Sequence, residues 1–273
     1  MTMSRDAAGS RLVIFTDLDG TLLDGSTYSF EKALPALEMV RQRRVPLVFV
    51  SSKTRAELEV WRERLQNAHP FISENGGGIF LPEGYFPFPL DAVPWEGYRL
   101  ITLGMPYEAV RRRFIAMRER LNIKARGFGD MTDREVADLT ALPLADARLA
   151  KQRDFEEPFV FEGSPDDRLM QEIEREGLRW TQGEFFHIMG DHHKGRAVEM
   201  LTRLYVQQHG PVTAFGIGDS LNDLPFLLAV DRPVLVRKMN GRHDDRINIP
   251  GLIRTNGIGP EGWNEAILSL LSS

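Results

Sequence analysis

Two aspartates in the stretch FTDLDGTLLDG, residues 15–25, stand where an apolar run ends. Because side chains two residues apart on an extended strand project to the same side, Asp17 and Asp19 should face one point. Two like charges 4 Å apart repel by about 1 kcal/mol in water, and by more beside a low-dielectric wall. A hard cation such as Mg²⁺ would offset that repulsion. A solvated acidic turn is the alternative, and Asp24, out of phase with the pair, is expected to be a solvated or capping residue.

A second acidic strand end occurs in GIGDSLND, residues 216–223. Asp219 follows an apolar run, and Asp223 falls four residues later, in the expected first turn of a helix, where the helix dipole favours negative charge. Capping of that helix by Asp219 or Ser220 would by itself explain the motif. A second acidic end in the same sheet argues against capping alone, since four carboxylates would then converge without a counter-charge.

Basic and hydroxyl groups precede two further helices. Lysine occupies only six of the 34 cationic positions, so a lysine inside a motif is informative. Lys194 opens a helix, where its charge opposes the dipole, and this suggests a role such as holding a phosphate; a solvated lysine is the alternative. The segment VSSKTR, residues 50–55, offers hydroxyls and free amides at a strand-to-helix turn, which is an anion-binding geometry, although these hydroxyls could serve only as caps.

Alternating strands and helices should position these groups. Three apolar runs predict buried strands, and two amphipathic segments between them predict helices. Thr54 and Glu57 can form a capping box at the start of the second helix. This alternation predicts a right-handed parallel sheet with helices on its faces, and ligands of such sheets bind beyond the carboxyl ends of the strands. The predicted strands are 12–18, 45–52 and 70–75, and the predicted helices are 30–44 and 54–66.

The pattern changes after about residue 83 and resumes near residue 190. The intervening segment mixes short strands and helices, while the segment after it returns to the α/β pattern. We therefore predict an α/β fold with a Rossmann-like parallel-sheet core, residues 1–83 plus 190–273, and an inserted α+β cap at 84–189. Hinges near residues 83 and 189 should let the cap open and close around a substrate.

Composition narrows the function classes. The chain has 273 residues, a formal net charge of −5 and no cysteine, so disulfides, thiolate catalysis and cysteine-based zinc sites are excluded. The absence of a basic stripe predicts no nucleic-acid partner, and the absence of an apolar run of about 20 residues predicts no membrane span. The polar N-terminus MTMSRDAAGS has no signal-peptide pattern, so we expect a cytoplasmic protein. The oligomeric state stays open.

The order of these motifs resembles a known family. DLDGT, a hydroxyl at the second strand end, a lysine before the last motif, and GDSLND resemble the haloacid dehalogenase-like phosphohydrolases. The inserted segment resembles the cap of their sugar-phosphatase branch. SSKTRAE, PFISENGGGIFLP, KGRAV, GDSLNDLP and GPEGW resemble more specifically the mannosyl-3-phosphoglycerate phosphatase family, over nearly the whole core and thinly over the cap.

This resemblance implies a division of catalytic roles. Asp17 would be the nucleophile that forms an aspartyl-phosphate, and Asp19 would protonate the leaving oxygen and then activate water. Ser51 and Lys194 would hold phosphoryl oxygens. The acid at position 19 favours turnover by water.

The resemblance also implies a Mg²⁺ site. Asp17, the backbone carbonyl of Asp19 and Asp219 would bind the ion, with Asp223 in support.

Substrate selection should lie between core and cap by the same resemblance. The chain departs from the family at GEFFH, residues 183–187, where Glu184 or Phe185 stands in place of an arginine that would meet the glycerate carboxylate or phosphate. The candidate substrate-binding residues are Lys53, Thr54, Arg55, Glu74, Asn75 and Gly76 on the core side, Arg168 and His187 on the cap side, and Asn222 in the last motif.

The implied activity is Mg²⁺-dependent dephosphorylation of mannosyl-3-phosphoglycerate to mannosylglycerate, a compatible solute. A glucosyl-3-phosphoglycerate phosphatase or a broader sugar-phosphate phosphatase is the first alternative. A non-catalytic phosphosugar-binding protein is the second, although a binding protein has no use for the acid at Asp19.

Overall fold

A computed structural model of the protein describes residues 10–272. Most of the N-terminal stretch expected to be polar and frayed lies outside the described residues. The strands, in chain order, are β1 (Arg11–Thr16), β2 (Leu47–Val50), β3 (Phe71–Ser73), β4 (Gly78–Pro82), β5 (Val93–Trp95), β6 (Tyr98–Thr102), β7 (Ala125–Gly127), β8 (Glu156–Phe161), β9 (Arg179–Gln182), β10 (Phe186–Met189), β11 (Val212–Gly218), β12 (Arg232–Arg237) and β13 (Ile253–Ile258).

The α-helices lie between these strands and after the last one. They are α1 (Leu34–Gln42), α2 (Arg55–Arg64), α3 (Tyr107–Leu121), α4 (Asp133–Thr140), α5 (Leu144–Ala150), α6 (Asp167–Arg175), α7 (Lys194–His209), α8 (Leu224–Leu227) and α9 (Pro260–Leu271).

The larger sheet, called the main sheet below, has the strand order β13-β12-β11-β1-β2-β3-β4-β6-β5. The strands from β13 to β3 run parallel to their neighbours, and β4, β6 and β5 continue the sheet in antiparallel pairs. Alternating residues of the central strands fill two apolar layers, because successive side chains of a strand point to opposite faces. Ile14 packs in the layer with α1, α2 and α9, and Val13 packs in the layer with α7 and α8.

The smaller sheet, called the cap sheet below, is antiparallel with the order β7-β8-β10-β9. Phe159 of β8 packs with residues of α3 and α6 in one buried cluster. Val160, the next residue, packs with residues of α4 and α5 in another. Helices therefore cover both faces of this sheet as well.

The predicted fold class is confirmed: the main sheet is a layered α/β structure, and a mixed α+β segment is inserted between β6 and α7. Two details differ from the sequence expectation. β5 and β6 fall within the range 84–189 predicted for the cap, yet they hydrogen-bond to the main sheet through β4. The helix whose first turn was expected to contain Asp223 is a 3₁₀ turn, Leu221–Asp223, followed by the single-turn α8. The division into core and cap domains stays a prediction. Within the described residues, no helix is both long and apolar enough to span a membrane.

Candidate active site

The two acidic motifs meet at the carboxyl edge of the main sheet. β1 and β11 are parallel neighbours with Thr16 opposite Ile217, so the chain leaves both strands at the same level and places Asp17 near Asp219. Gly20 has a φ of +76°, and a Cβ at that position would lie 3.1 Å from Asp219 Oδ2. Glycine is therefore needed there both for its backbone conformation and for the close approach of the second motif.

Three buried carboxylates form one cluster that could hold a metal ion. One oxygen from each of Asp17, Asp219 and Asp223 lies within 4.8 Å of the others. Burial, and then the charge of Asp223, raises the pKa of Asp219 to about 7. Burial likewise raises the pKa of Asp17 well above its ordinary value, although Lys194 opposes this shift. A set of hard oxygen donors with too little neighbouring positive charge fits a divalent cation such as Mg²⁺.

Lys194 and backbone N–H groups hold two of these three carboxylates. Lys194 is 1% exposed, and its Nζ donates to Asp17 Oδ1 at 2.8 Å and to Asp223 Oδ1 at 2.6 Å. Burial favours the neutral amine, but these two carboxylates outweigh burial and raise the pKa of Lys194. Asp223 Oδ2 accepts hydrogen bonds from the backbone N–H groups of Asp219 and Ser220. Both oxygens of Asp223 are thus engaged, which fits a supporting role better than a direct metal contact.

Asp19 lies beside the cluster and pairs with a different lysine. Lys53 Nζ is 2.9 Å from Asp19 Oδ2 and 3.7 Å from Glu57 Oε1. Asp19 Oδ1 is buried and has no hydrogen-bond partner among the described residues. One carboxylate oxygen of Asp19 is therefore held by Lys53, and the other is available to a group that enters the site.

The loop after β2 carries the hydroxyl groups that the sequence predicts for the site. Ser51 is buried, and its Oγ accepts from the backbone N–H of Lys53 at 3.2 Å. Thr54 and Glu57 form the predicted capping box of α2, and Thr54 Oγ1 also donates to the carbonyl of Leu149. This loop thus caps α2 through Thr54 and reaches Asp19 through Lys53.

A cavity of about 490 Å³ opens between the two sheets above these carboxylates. Asp17, Asp19 and Lys53 line it from the main sheet, and Glu184 and His187 line it from the cap sheet. Its volume suits a small organic substrate, and it lies at the carboxyl ends of parallel strands, where open α/β sheets bind ligands.

The structure brings some of the predicted substrate residues to this cavity. Lys53, His187 and Asn222 line it. Arg55 instead pairs with Glu59 and Glu96 on the outer side of α2. The other predicted residues lie outside the lining as well: Thr54, Glu74, Asn75, Gly76 and Arg168.

Arg168 lies on α6, away from the cavity lining, and most of its side chain is exposed. Its guanidinium pairs with Asp166 two residues earlier, which also caps α6. Its position therefore gives no support to the expected contact with substrate.

Glu74, Asn75 and Gly76 build the wall behind the cavity. The Glu74 carboxylate accepts hydrogen bonds from the backbone N–H groups of residues 154–156. Burial raises the pKa of Glu74 to about 8, although Arg153 opposes the shift. These residues thus connect the β3–β4 turn to the start of β8 instead of meeting the cavity directly.

A buried carboxylate that the sequence analysis missed holds His187. Glu156 is fully buried, and its Oε1 lies 2.9 Å from His187 Nδ1 and 3.1 Å from Arg153 Nη1. Its Oε2 accepts from Asn75 Nδ2 at 2.8 Å. His187, and then Arg153 and Asn75, outweigh burial and lower the pKa of Glu156. In the sequence, Glu156 could have been singled out because two glutamates open the otherwise apolar strand EEPFVF.

Other residues of the lining were also missed, and they lie on loops far apart in the chain. Tyr28 follows the first acidic motif, and Lys238, Asn240 and Arg246 follow β12. Because lysine is rare in this chain, Lys238 could have been singled out from the sequence. Asp24, by contrast, behaves as expected: its Oδ1 caps the turn at Ser26 and Thr27.

Comparison with known proteins agrees with this geometry. Residues 14–85 match the family model described as haloacid dehalogenase-like hydrolase. A glucosyl-3-phosphoglycerate/mannosyl-3-phosphoglycerate phosphatase from Methanococcoides burtonii is 44% identical over 95% of this chain and 97% of its own length. A mannosyl-3-phosphoglycerate phosphatase from Pyrococcus furiosus is 35% identical over 88% of this chain and 96% of its own.

The chain belongs to this family of haloacid dehalogenase-like sugar phosphatases. The enzyme class predicted from the sequence, a phosphatase, is thereby confirmed. Solved structures of haloacid dehalogenase-like sugar phosphatases and of other proteins share the fold. A Thermoplasma acidophilum protein matches with a TM-score of 0.68 and 18% identity, covering 98% of this chain and 99% of its own. The sucrose-phosphatase from Synechocystis matches with a TM-score of 0.61 and 13% identity, covering 95% and 97%.

Proposed function

We propose that this sugar phosphatase removes the phosphate from mannosyl-3-phosphoglycerate and glucosyl-3-phosphoglycerate in a Mg²⁺-dependent reaction. The observation that carries the proposal is the buried Lys194–Asp17 pair, which lies beside Asp219 beneath a cavity large enough for a glycosylated phosphoglycerate. The 44% identity to a relative named for both substrates supports the choice of substrate class.

The positions of Asp17 and Asp19 support a two-step hydrolysis. Lys194 holds Asp17 Oδ1, and this leaves Oδ2 to attack phosphorus while the bond from phosphorus to the glycerate oxygen breaks. Asp19 gives its proton to that leaving oxygen, which departs as an alcohol. Asp19 then takes a proton from water, whose oxygen attacks phosphorus, and the phosphorus–Asp17 bond breaks to release inorganic phosphate.

The charge of the transferring phosphoryl group needs stabilisation from outside these two acids. Lys194 supplies a buried positive charge next to Asp17. The oxygens of Asp17 and Asp219 would hold Mg²⁺, with Asp223 as support, and the ion would supply further positive charge to the phosphoryl oxygens. Ser51, at the end of β2, would donate its hydroxyl to one of those oxygens.

Phosphate release tests this proposal directly. We expect release from both glycosylated phosphoglycerates with Mg²⁺, loss of release in EDTA, and recovery when Mg²⁺ is added back. Asp17→Asn should lower kcat by at least about 10⁴-fold because it removes the nucleophile. Asp24→Asn is the matched control, because Asp24 itself does not line the cavity and Asn keeps the Oδ1 atom that caps its turn.

Two results would speak against the proposal. No Mg²⁺-dependent release from these substrates or from any sugar phosphate would remove the enzymatic role. Comparable kcat/KM values across several simple hexose phosphates would favour the broader sugar-phosphate phosphatase.

A further inference from the structure

Two separate groups of charged residues line the active-site cavity. Glu184, in the turn between β9 and β10, lies close enough to Asp19 and Lys53 for their charges to act on it, and it defines the acidic side. The segment after β12 contributes Lys238 and Arg246, which define the cationic side. A substrate with one charged and one neutral substituent would be oriented by such a polarity.

The cationic side is built around one buried acid. Asp244 is 7% exposed, and its Oδ2 accepts from Lys238 Nζ at 2.9 Å and from Arg246 Nη2 at 2.7 Å. Arg246 Nε also donates to Asp244 Oδ1 at 2.8 Å. Since one carboxylate serves two cations, the group keeps a net positive charge, and both side chains retain N–H donors for a ligand.

The two cations line the same cavity as Asp17 and Asp19, and they remain accessible. The positive charge of Lys238 acts on Asp219, one of the three carboxylates that could hold a metal ion. The side chains of Lys238 and Arg246 are 30% and 56% exposed, respectively, and both line the cavity. A small anion bound near the phosphate would therefore meet donors that a buried acid has already oriented.

The acidic side has room for a neutral group. A second cavity of about 490 Å³ adjoins the first and shares with it Tyr28, Lys53, Leu142 and Glu184. The ring of Tyr28 stacks on Trp61, with 6.4 Å between the ring centroids. Carboxylate oxygens beside an aromatic face suit a hexose, whose hydroxyls donate hydrogen bonds and whose carbon face is apolar.

Resting on the proposed function, we propose that Lys238 and Arg246 bind the glycerate carboxylate of the substrate, while the hexose lies on the Glu184 side. In a glycosyl-3-phosphoglycerate, only one oxygen and two carbons separate phosphorus from the carboxylate carbon, so the carboxylate must lie close to the phosphate site. The hexose branches from the middle carbon and points the other way. This orientation accounts for an acid at position 184, because the glycerate carboxylate is recognised from the opposite wall.

The test compares substrates with and without the carboxylate. The probes are 2-O-glucosyl-3-phosphoglycerate and 2-O-glucosylglycerol 3-phosphate, in which a hydroxymethyl group replaces the carboxylate. Arg246→Gln should raise KM for the carboxylate substrate by about 10- to 100-fold, the range for losing a charge-assisted hydrogen bond, with a much smaller effect on the analogue. Lys238→Gln should show the same selectivity on top of a loss common to both compounds, because the charge of Lys238 also acts on Asp219. Glu184→Gln should raise KM for both compounds alike, because both carry the hexose.

Matched substitutions on the surface serve as controls. Arg203→Gln on α7 and Lys32→Gln before α1 remove the same charges from exposed ion pairs outside the cavity, and both should leave KM unchanged. Equal losses on both probes for Arg246→Gln, or no loss on either, would overturn the carboxylate assignment. The wild-type measurement separates the two ideas: no release from either the glucosyl or the mannosyl 3-phosphoglycerate refutes the proposed function itself, whereas release with unselective variants refutes only this inference.

Discussion

Lys194 compensates the negative charge of two buried carboxylates, and it is itself buried. Its Nζ lies 2.8 Å from Asp17 Oδ1 and 2.6 Å from Asp223 Oδ1, with all three side chains shielded from water. Removing one partner of a buried ion pair leaves an uncompensated charge, which is more costly than losing the attraction alone. The same lysine would therefore serve both stability and catalysis.

Lys194→Met should abolish phosphate release and lower the free energy of unfolding by about 3–5 kcal/mol in EDTA, because two carboxylates lose their cation. Urea denaturation and a phosphate assay measure the two effects. Lys32→Met, which breaks an exposed pair with Glu261, is the control and should change stability by less than about 1 kcal/mol. If Lys194→Met changes the free energy of unfolding as little as Lys32→Met does, Lys194 does not compensate the two buried carboxylates.

His69 should make the free energy of unfolding depend on pH. Its Nδ1 lies 2.7 Å from Tyr85 Oη, and burial, assisted by the charge of Arg62, lowers the pKa of His69 to about 4. Between pH 6.5 and 4 the unfolded chain binds a proton at this residue and the folded protein does not, so the free energy of unfolding falls as the pH falls through that window. Above pH 6.5 the contribution is fully present.

His69→Gln should remove this contribution while keeping a hydrogen-bonding side chain. The difference in unfolding free energy between wild type and variant should be constant above pH 7 and change by up to about 3 kcal/mol as the pH falls to 4. Urea denaturation at several pH values measures it. Parallel curves for the two proteins across the whole range would show that His69 is not the group responsible.

At the scale of elements, the turn between β3 and β4 ties the main sheet to α7. Glu74 and Asn75 have φ values of +47° and +53°, and Gly76 follows with +98°. The three hydrogen bonds that Glu74 accepts from residues 154–156 hold this turn. A Cβ on Gly76 would lie 2.5 Å from the carbonyl oxygen of His193, the residue before Lys194. The turn therefore sets where α7 begins.

Gly76→Ala should destabilise the protein by about 1–3 kcal/mol more than Gly84→Ala, because overpacking against backbone adds to the strain of a positive φ. Gly84 is the matched control: its φ is +71°, and no atom lies within 4 Å of a Cβ there. Thermal unfolding compares the two variants, and kcat should fall only for Gly76→Ala as Lys194 is displaced. Equal destabilisation would mean that backbone conformation, and not contact with His193, is what glycine provides.

At the scale of the whole molecule, two chain crossovers and several buried hydrogen bonds connect the main sheet to the cap sheet. The crossovers lie at 103–106 and 190–193, where a Cβ on Gly190 would be 2.9 Å from the Cβ of Met105. Glu156 links β8 to Asn75 of the main sheet and to His187 in the cavity. The predicted opening of the cap would have to move these crossovers, and the first lies later in the chain than the expected hinge at residue 83.

Glu156→Gln should loosen this connection. Losing charge-assisted hydrogen bonds to His187 and Arg153 should lower the free energy of unfolding by about 2–3 kcal/mol and speed amide exchange in the two crossovers. KM should rise more than kcat falls, because His187 lines the substrate cavity and does not touch Asp17. Glu162→Gln, one residue beyond the end of β8 and exposed, is the control. Unchanged exchange in the crossovers would rule out Glu156 as the connection between the sheets.

The sequence by itself determined the features that depend on local periodicity and on short motifs. Parallel strands that end together bring Asp17 and Asp219 to one edge whatever the rest of the chain does, so the acidic cluster could be read from two strand ends. The capping box at Thr54 and the turn capped by Asp24 were readable for the same reason, since each involves neighbours within a few residues.

Only the tertiary structure decided which distant residues complete the site. Glu156 meets His187 across 31 residues and Asn75 across 81, and Lys238 and Arg246 reach the cavity from a loop with no motif of its own. No local pattern encodes such pairs, because they depend on how the cap sheet lies over the main sheet. The same holds for β5 and β6: β6 pairs with β4 and β5 pairs with β6, and strand propensity does not specify which sheet edge such strands join.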